Sequence, residues 1–330
     1  MHDPGGLATG PRATLSAAVA ERVAFDFDEE SFTWADVAEA AAIRGEWDRL
    51  VARVRAGLAA EAAVPPDRQD AVREEARAAG IAFRQQRNLL TADGFTAWLE
   101  RWDITVDGWR AYLRRELALA AGTPDAAHVD QPGPATEQVH AAAVLSGLLA
   151  DQSALLAEDL ALLGGVPDAE DRSAALAAIV ADGTAARAAA VDDPEALEAI
   201  VTRHRMDWSR AAVDLVTLPD EAAADEAALC VRLDGQSLAD VAALVGTRVD
   251  SVDGTLSDLP EPLRGPAVGS QPGDLLGPVE DDGVYRLAVV VSRVEPAADD
   301  PEALDRARSL LLARVVEERT RGRVRWGRDG

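Results

Sequence analysis

The residues of this chain best suited to binding a partner are aromatic, and they cluster in one segment. Residues 98–112 carry Trp98, Trp102, Trp109 and Tyr112, although aromatic residues make up only 4% of the chain. Tryptophan is enriched where a surface grips a partner through a few anchors. The cluster predicts a groove for an extended or helical peptide, and the alternative is that the rings form the core of an ordinary helical hairpin.

Arginines lie in and around the same segment. Arg110 and Arg114 are expected to pair with acids on the bound peptide, because a guanidinium group binds a carboxylate through two parallel hydrogen bonds. Arg84, Arg87 and Arg115 could join Arg114 in clamping an acidic leader peptide or a C-terminal carboxylate. The alternative for these four arginines is a set of solvated helix faces.

Histidine and cysteine, the other residues that commonly do chemistry, are few and scattered. The four histidines are His2, His128, His140 and His204, and none belongs to a HExxH-type pair. His128 and His140 flank a proline-rich loop and could titrate as a pair. The single cysteine, Cys230, excludes an internal disulfide and a cysteine-based zinc site, and is expected to be a small buried residue. We expect no metal and no cofactor.

Charge and composition exclude several classes of partner. The 330-residue chain has a net charge of −25, 48% hydrophobic residues, and arginine as its only strongly basic residue. This acidity argues against nucleic acid and against anionic membranes, both of which need a basic face. We find no signal peptide and no run of 18 apolar residues, so a cytoplasmic protein is expected.

The elements that must position the aromatic cluster are helices. Thr91 and Thr105 each begin a predicted helix, which gives a helix, a short turn and a second helix over residues 89–120. Residues 121–135, with three prolines and two glycines, predict a loop. One helical pattern then covers residues 136–163.

The pattern changes near residue 211. Residues 213–218 alternate in a way that suits a strand, and residues 284–294 form the most strand-like run of the chain. The intervening residues 246–276 are rich in Gly, Asp and Pro and predict irregular structure. A last helix is predicted from Pro301 to about Arg321, with apolar residues in helical register.

The C-terminal half resembles a parvulin-type peptidyl-prolyl isomerase domain. The similarity is carried by residues 259–279, LPEPLRGPAVGSQPGDLLGPV, and by the GQSLADVA run at 235–242. The family carries a histidine on its first strand and another on its last. Here the corresponding positions hold Asp214 and either Tyr285 or Arg286, which are the candidate catalytic residues of a degenerate pocket. A domain that lacks both histidines is not expected to be a competent isomerase.

The N-terminal half adds a second resemblance. Residues 83–113 are similar to the helical chaperone part of SurA-type proteins. They are more similar to a group of parvulin-related proteins that are encoded beside ribosomal peptide natural-product pathways and labelled peptide maturation proteins. The MDWSR sequence at 206–210 and the VRW sequence at 324–326 also fit that group.

These observations predict an α+β protein, with a predominantly helical N-terminal domain, a small parvulin-like mixed α/β domain and a C-terminal helix. The expected boundaries are a flexible N-terminus at 1–20, a helical chaperone-like domain at 21–205, a degenerate parvulin-like domain at 206–297, and a C-terminal helix and tail at 298–330. The expected function is a non-catalytic chaperone or scaffold for a precursor or unfolded peptide, which it presents to modifying enzymes. The alternative is a peptide-modifying enzyme that uses the degenerate pocket.

Overall fold

The computed structural model describes residues 10–122 and 133–327, and these form two compact units. The first unit comprises Met1–Ala190 with Val315–Gly330, and the second comprises Val191–Arg314. Both combine helices with an antiparallel sheet, so the fold is α+β, as the sequence predicts.

The first unit is mostly helical. Its helices are α1 (Pro11–Thr14), α2 (Ala17–Ala20), α3 (Trp34–Ile43), α4 (Glu46–Ala62), α5 (Gln69–Gln86), α6 (Ala92–Arg101), α7 (Val106–Ala120), α8 (Thr136–Leu145), α9 (Leu148–Leu163) and α10 (Arg172–Ala190). Its strands β1 (Val23–Phe27) and β2 (Glu30–Thr33) form a hairpin, and the C-terminal strand β7 (Val324–Trp326) pairs with the other edge of β1. Residues 11–20, placed by the sequence in a flexible N-terminus, thus form two short helices, and Val19 is fully buried.

The predicted helix–turn–helix is present, but its second helix packs differently from expectation. Thr91 and Thr105 cap α6 and α7, and each side-chain oxygen accepts a hydrogen bond from a backbone amide of the first turn. Helix α7 packs mainly against α4 and α5 rather than against α6. The aromatic residues of the pair also contact other helices, since Trp102 packs on Trp34 of α3 and Trp98 packs on Phe83 of α5.

The long helix predicted over residues 136–163 is broken. Gly147 has φ +87°, a left-handed conformation that ends α8 and begins α9 at an angle of 64°. No single helix within residues 10–122 and 133–327 is long and apolar enough to cross a membrane. Two bent pairs, α8 with α9 and α10 with α11 (Pro194–His204), pass that test jointly on length and composition.

The second unit is built on a four-stranded antiparallel sheet with the strand order β4-β3-β6-β5. Its elements are α11 (Pro194–His204), β3 (Arg210–Leu218), α12 (Glu221–Leu233), α13 (Leu238–Val245), β4 (Asp250–Thr255), α14 (Glu261–Val268), β5 (Leu275–Asp281), β6 (Val284–Val294) and the first part of α15 (Pro301–Thr320). Helices α12 and α13 cover one face of the sheet, and α14 covers the other.

The stretch predicted as irregular at 246–276 contains β4, α14 and the first two residues of β5, and α14 lies where the parvulin resemblance implies a short helix after a Leu-Pro segment. The β4 sequence, DSVDGT, is too polar to suggest a strand from its pattern. Its backbone is ordered instead by the ladder to β3, in which Val213 lies opposite Val252. A strand at a sheet edge can form on backbone hydrogen bonds alone when its side chains face solvent.

Candidate functional site

A groove runs between α5 and α7 in the helical unit, and one close approach shapes its floor. The indole of Trp109 on α7 lies directly over Gly80 on α5. A Cβ atom at Gly80 would come within 2.8 Å of the ring, so any larger side chain there would displace the tryptophan. Glycine at this position therefore lets the two helices approach with the indole between them.

The groove is large enough for several peptide side chains, with a volume of about 550 Å³. Its apolar floor comes from Ala76, Gly80, Trp109 and Leu113, and Ile81 on the rim is 56% exposed. An apolar cleft of a few hundred cubic ångströms with polar groups around it is the usual form of a ligand site.

Five arginines line this groove: Arg73, Arg77, Arg84, Arg110 and Arg114. No carboxylate of the described residues lines it with them. Four of the five arginines pair with carboxylates that lie outside the lining, so the groove has a basic wall on a chain with a net charge of −25. Such a patch attracts anionic groups and repels cationic ones.

Three of these arginines are only weakly held. Arg73, Arg77 and Arg110 each pair with a carboxylate three residues earlier on the same helix, and all three are more than half exposed. Exposed pairs of this kind contribute on the order of 1 kcal/mol or less. An acid on a bound peptide can therefore replace the local partner at little cost.

The other two arginines are structural. The Nε atom of Arg84 donates to the carbonyl of Leu89 at 3.0 Å, and its guanidinium group lies over the ring of Phe95. The Nε atom of Arg114 donates to Glu61 at 2.8 Å, which ties α7 to α4. These two groups position the walls of the groove while keeping their charge beside it.

Trp109 forms part of the groove floor and is not an exposed anchor residue. Its side chain is 9% exposed, and its ring packs edge-on against Phe95 and Phe83 at centroid distances of 4.7 and 6.1 Å. The indole Nε1 is buried and has no hydrogen-bond partner among the described residues. Unpaired buried donors of this kind are rare in folded proteins.

The degenerate pocket of the second unit does not bring its three candidates together. Asp214 accepts a hydrogen bond from Ser251 Oγ at 2.7 Å on β4. Tyr285 lies opposite Leu218, four residues farther along β3 than Asp214, which corresponds to about 13 Å along a strand.

Arg286 is separated from the other two candidates by the sheet. It lies opposite Thr217 and pairs with Asp281 at 2.6 Å, and because successive residues alternate faces it points away from Asp214 and Tyr285. Burial and the carboxylate of Glu221 raise the pKa of Tyr285, which keeps the phenol protonated. These three side chains do not form an acid–base pair.

The chain matches no family model and no curated protein. Several solved structures resemble it, among them these two. One is the foldase protein PrsA from Streptococcus pneumoniae, with 9% identity, 88% of this chain and 90% of that chain covered, and a TM-score of 0.31. The other is a chain of the SurA-like chaperones PEB4 and Cj1289 from Campylobacter jejuni, with 10% identity, 93% and 100% covered, and a TM-score of 0.20.

Of the six peptide-binding residues predicted from the sequence, the structure places Trp109, Arg110 and Arg114 on the groove. Trp102 is a core residue, since its ring packs against Trp34 at 5.0 Å and its carbonyl group lies 2.7 Å from a ring nitrogen of a buried histidine. Trp98 is half-buried with its ring edge-on to another aromatic ring.

Tyr112 also lies off the groove. It is half-buried, and burial, with a smaller contribution from Glu116, raises the pKa of its phenol to about 12. Arg73, Arg77 and Ile81 were not predicted as site residues. Their spacing of four and eight residues on one helix was the signal that could have found them.

The remaining arginines and histidines also have definite environments. The predicted alternative of solvated faces is wrong for Arg115, which is 3% exposed, and Arg87 donates to the carbonyl of Leu145 at 3.1 Å. His140 is buried, and His128, the other member of the predicted pair, lies outside the described residues. Cys230 is half-buried. Within the described ranges, no three His, Cys, Asp or Glu side chains are arranged to hold a metal ion.

Proposed function

We propose that this chain is a non-catalytic peptide-binding chaperone or scaffold, and that the groove between α5 and α7 holds its peptide. The observation that carries the proposal is an apolar groove lined by five arginines on a chain with a net charge of −25. A basic cleft is unexpected on a protein of this acidity. Its apolar floor and its arginines match a ligand that carries both apolar and acidic groups.

The ligand that fits combines apolar and acidic side chains. Ile81 and the floor around Trp109 offer apolar surface, and Arg73, Arg77 and Arg110 stand at the edge with weak local partners. Burying the apolar side chains contributes affinity, while charge pairs at the rim determine which sequences bind and how fast they associate. Both extended and helical peptides can present such an alternation.

The proposal extends to a biological role. The resemblance of residues 83–113 to proteins encoded beside ribosomal peptide pathways supports a precursor peptide as ligand. The chain would then act in the cytoplasm, holding the precursor for the enzymes that modify it. A leader segment rich in Glu, Asp and Leu is the kind of sequence that this groove would select.

Fluorescence polarisation with three labelled peptides tests the proposal. The peptides share one pattern of leucines and carry Glu, Gln or Lys at all other positions. We expect the Glu peptide to bind most tightly and its affinity to fall with added NaCl, because rim charges are screened by salt. Arg77→Glu and Arg110→Glu should each weaken it about tenfold, equivalent to about 1.4 kcal/mol. Ile81→Asn should weaken the Glu and Gln peptides alike.

Arg49→Glu is the matched control. Like Arg77, Arg49 pairs with a glutamate three residues earlier and is more than two-thirds exposed, but it lies on α4 and does not line the groove. It should bind the Glu peptide as the parent does. Unchanged affinity in folded Arg77→Glu and Arg110→Glu would show that the peptide binds elsewhere. Equal affinity for the Glu and Gln peptides would show that the arginines do not select acidic side chains.

A further inference from the structure

Helix α12 of the second unit carries exposed leucines on its outer face. Leu229 is 55% exposed and Leu233 is 77% exposed, and a separation of four residues makes them neighbours on one side of the helix. Leu244 on α13, a helix in contact with α12, is 73% exposed. Three of the five exposed leucines among the described residues thus lie on this pair of helices. Single exposed apolar residues are ordinary, whereas grouped ones mark interaction sites.

The opposite face of α12 shows that these leucines do not serve the core of their own unit. The buried residues of the helix are Ala224, Ala227 and Ala228, and the half-buried Cys230 and Val231 pack beside them against the sheet. An amphipathic surface helix normally turns its larger apolar residues toward the core. Here the alanines lie inside and the leucines outside, which leaves the leucines available to a partner.

Three exposed carboxylates flank the leucines along the chain: Asp225, Glu226 and Asp234. Among the residues that the structure describes, none of the three is paired with an arginine or a histidine. Arg232, the only arginine of α12 and α13, instead donates to the carbonyl group of Gly277 at 2.8 Å. The outer face of α12 therefore combines apolar surface with negative charge.

The stability of the helix does not account for these three acids. Carboxylates stabilise the first turn of a helix, and Asp220 does so in α12 by accepting from a backbone amide of that turn at 2.9 Å. Asp225 and Glu226 lie beyond the first turn. Asp234 is the C-cap residue, at the end of the helix where the helix dipole favours a cation. The three positions thus match a positive charge that a partner supplies.

We propose that the outer face of α12 is a docking surface for a basic amphipathic helix of a partner protein. The apolar side of that helix packs on Leu229 and Leu233, and its lysines or arginines pair with Asp225, Glu226 and Asp234. Leucines one turn apart on α12 match apolar anchors one turn apart on a second helix. A second copy of this chain does not fit, because two acidic faces repel each other. The surface shares no residue with the peptide groove and has the opposite charge.

Fluorescence polarisation with two labelled helical peptides tests the surface. The probe carries leucines three and four residues apart and lysines at the remaining polar positions, and the control peptide replaces the leucines with serines. We expect the probe to bind saturably with a Kd of about 100 μM or below, and the serine peptide to bind at least about tenfold more weakly. The serine peptide separates docking on the leucines from the general attraction of a basic peptide to an acidic chain.

Variants at exposed positions make the test specific to α12. Leu233→Ser and Asp225→Arg should each weaken binding of the probe about tenfold. Both should bind the Glu peptide of the groove test as the parent does. Leu90→Ser and Asp182→Arg are the matched controls, since Leu90 is 66% exposed and Asp182 is exposed on α10, and neither lies on α12. Both controls should bind the probe as the parent does.

The docking surface has clear contrary outcomes. The absence of saturable binding, equal affinity for the probe and the serine peptide, or unchanged affinity in both Leu233→Ser and Asp225→Arg would overturn the proposal. Sedimentation equilibrium of the parent chain should show no dimer that depends on α12. A dimer that Leu233→Ser abolishes would make a second copy of the chain the occupant and would overturn the assignment to a basic partner.

Discussion

The guanidinium group of Arg44 lies 2.5 Å from the carboxylate of Asp159, and the two side chains are 12% and 3% exposed. The other carboxylate oxygen of Asp159 accepts from Arg187 at 2.8 Å, so one buried acid serves two arginines. Gly183 completes the arrangement, because an added Cβ would lie 2.4 Å from the carboxylate carbon. This group of charges joins the end of α3 to α9 and α10, which form part of the scaffold of the helical unit.

Asp159→Asn should destabilise the helical unit strongly. The change removes the buried negative charge that Arg44 and Arg187 share and leaves them Gln152 and the partly exposed Glu158 as their other side-chain acceptors. Removing one partner of a buried ion pair costs about 3–5 kcal/mol. The free energy of unfolding from urea titrations checks this. Glu158→Gln is the control, since Glu158 pairs with Arg187 but is 34% exposed, and its loss should be about 1 kcal/mol or less. Similar losses for both variants would contradict the buried role of Asp159.

The stability of the helical unit should fall as the pH drops below about 6.5, the ordinary pKa of histidine. Burial lowers the pKa of His140, and the positive charge of Arg22 lowers it further. The hydrogen bond to the Trp102 carbonyl and the charge of Asp103 raise this pKa, but they offset the lowering only in part. The unfolded chain therefore binds a proton at a pH where the folded chain does not, and the unfolding free energy decreases with decreasing pH. The full contribution of neutral His140 is present above pH 6.5 and is lost between 6.5 and its lower folded pKa.

Urea titrations at pH 7.5 and 5.5 measure this dependence. His140→Gln should reduce the difference between the two pH values, because glutamine carries no titrating group. His204→Gln is the matched control, since the ring of His204 is partly exposed and stacks on Trp208. An equal pH dependence in the parent and in His140→Gln would show that other groups are responsible.

Trp102→Ala should unfold the helical unit rather than weaken peptide binding selectively. The ring is 6% exposed and packs against Trp34, and truncation of a buried tryptophan costs about 3–5 kcal/mol. Circular dichroism and the urea midpoint measure the loss. Ile81→Asn, on the rim of the groove, should keep the parent midpoint. If Trp102→Ala folds with the stability of the parent but binds the peptide more weakly, Trp102 belongs to the peptide-binding site and not to the core.

Prolyl isomerisation of a generic tetrapeptide should not be accelerated. No histidine follows His204 in the sequence, Asp214 is engaged by Ser251, and Tyr285 and Arg286 lie on opposite faces of the sheet. The uncatalysed reaction has a barrier of about 20 kcal/mol and takes tens of seconds, so a small effect is easily measured. A rate near that of an intact parvulin, abolished by Asp214→Ala, would refute the prediction.

Part of the fold follows directly from local sequence. Thr91 and Thr105 begin helices because their side chains can accept from the first turn, and the β-branched run at 284–294 forms β6. The break at Gly147 was missed, because apolar periodicity continues across it and only the left-handed backbone reveals it. Strand β4 was missed because its order comes from β3 rather than from its own side chains.

The sequence by itself determined the chemical character of the site: arginine as the strongly basic residue, tryptophans concentrated in one segment, and helices to carry both. The spacing of Arg73, Arg77 and Ile81 also suits one face of a helix, but the sequence alone did not identify them as site residues. Only the tertiary structure decided which residues meet. Trp102 lies in the core because its ring packs on Trp34 of α3, and Trp109 lies in the groove floor because α7 packs on α5. Such long-range packing depends on the shapes of residues far apart in the chain.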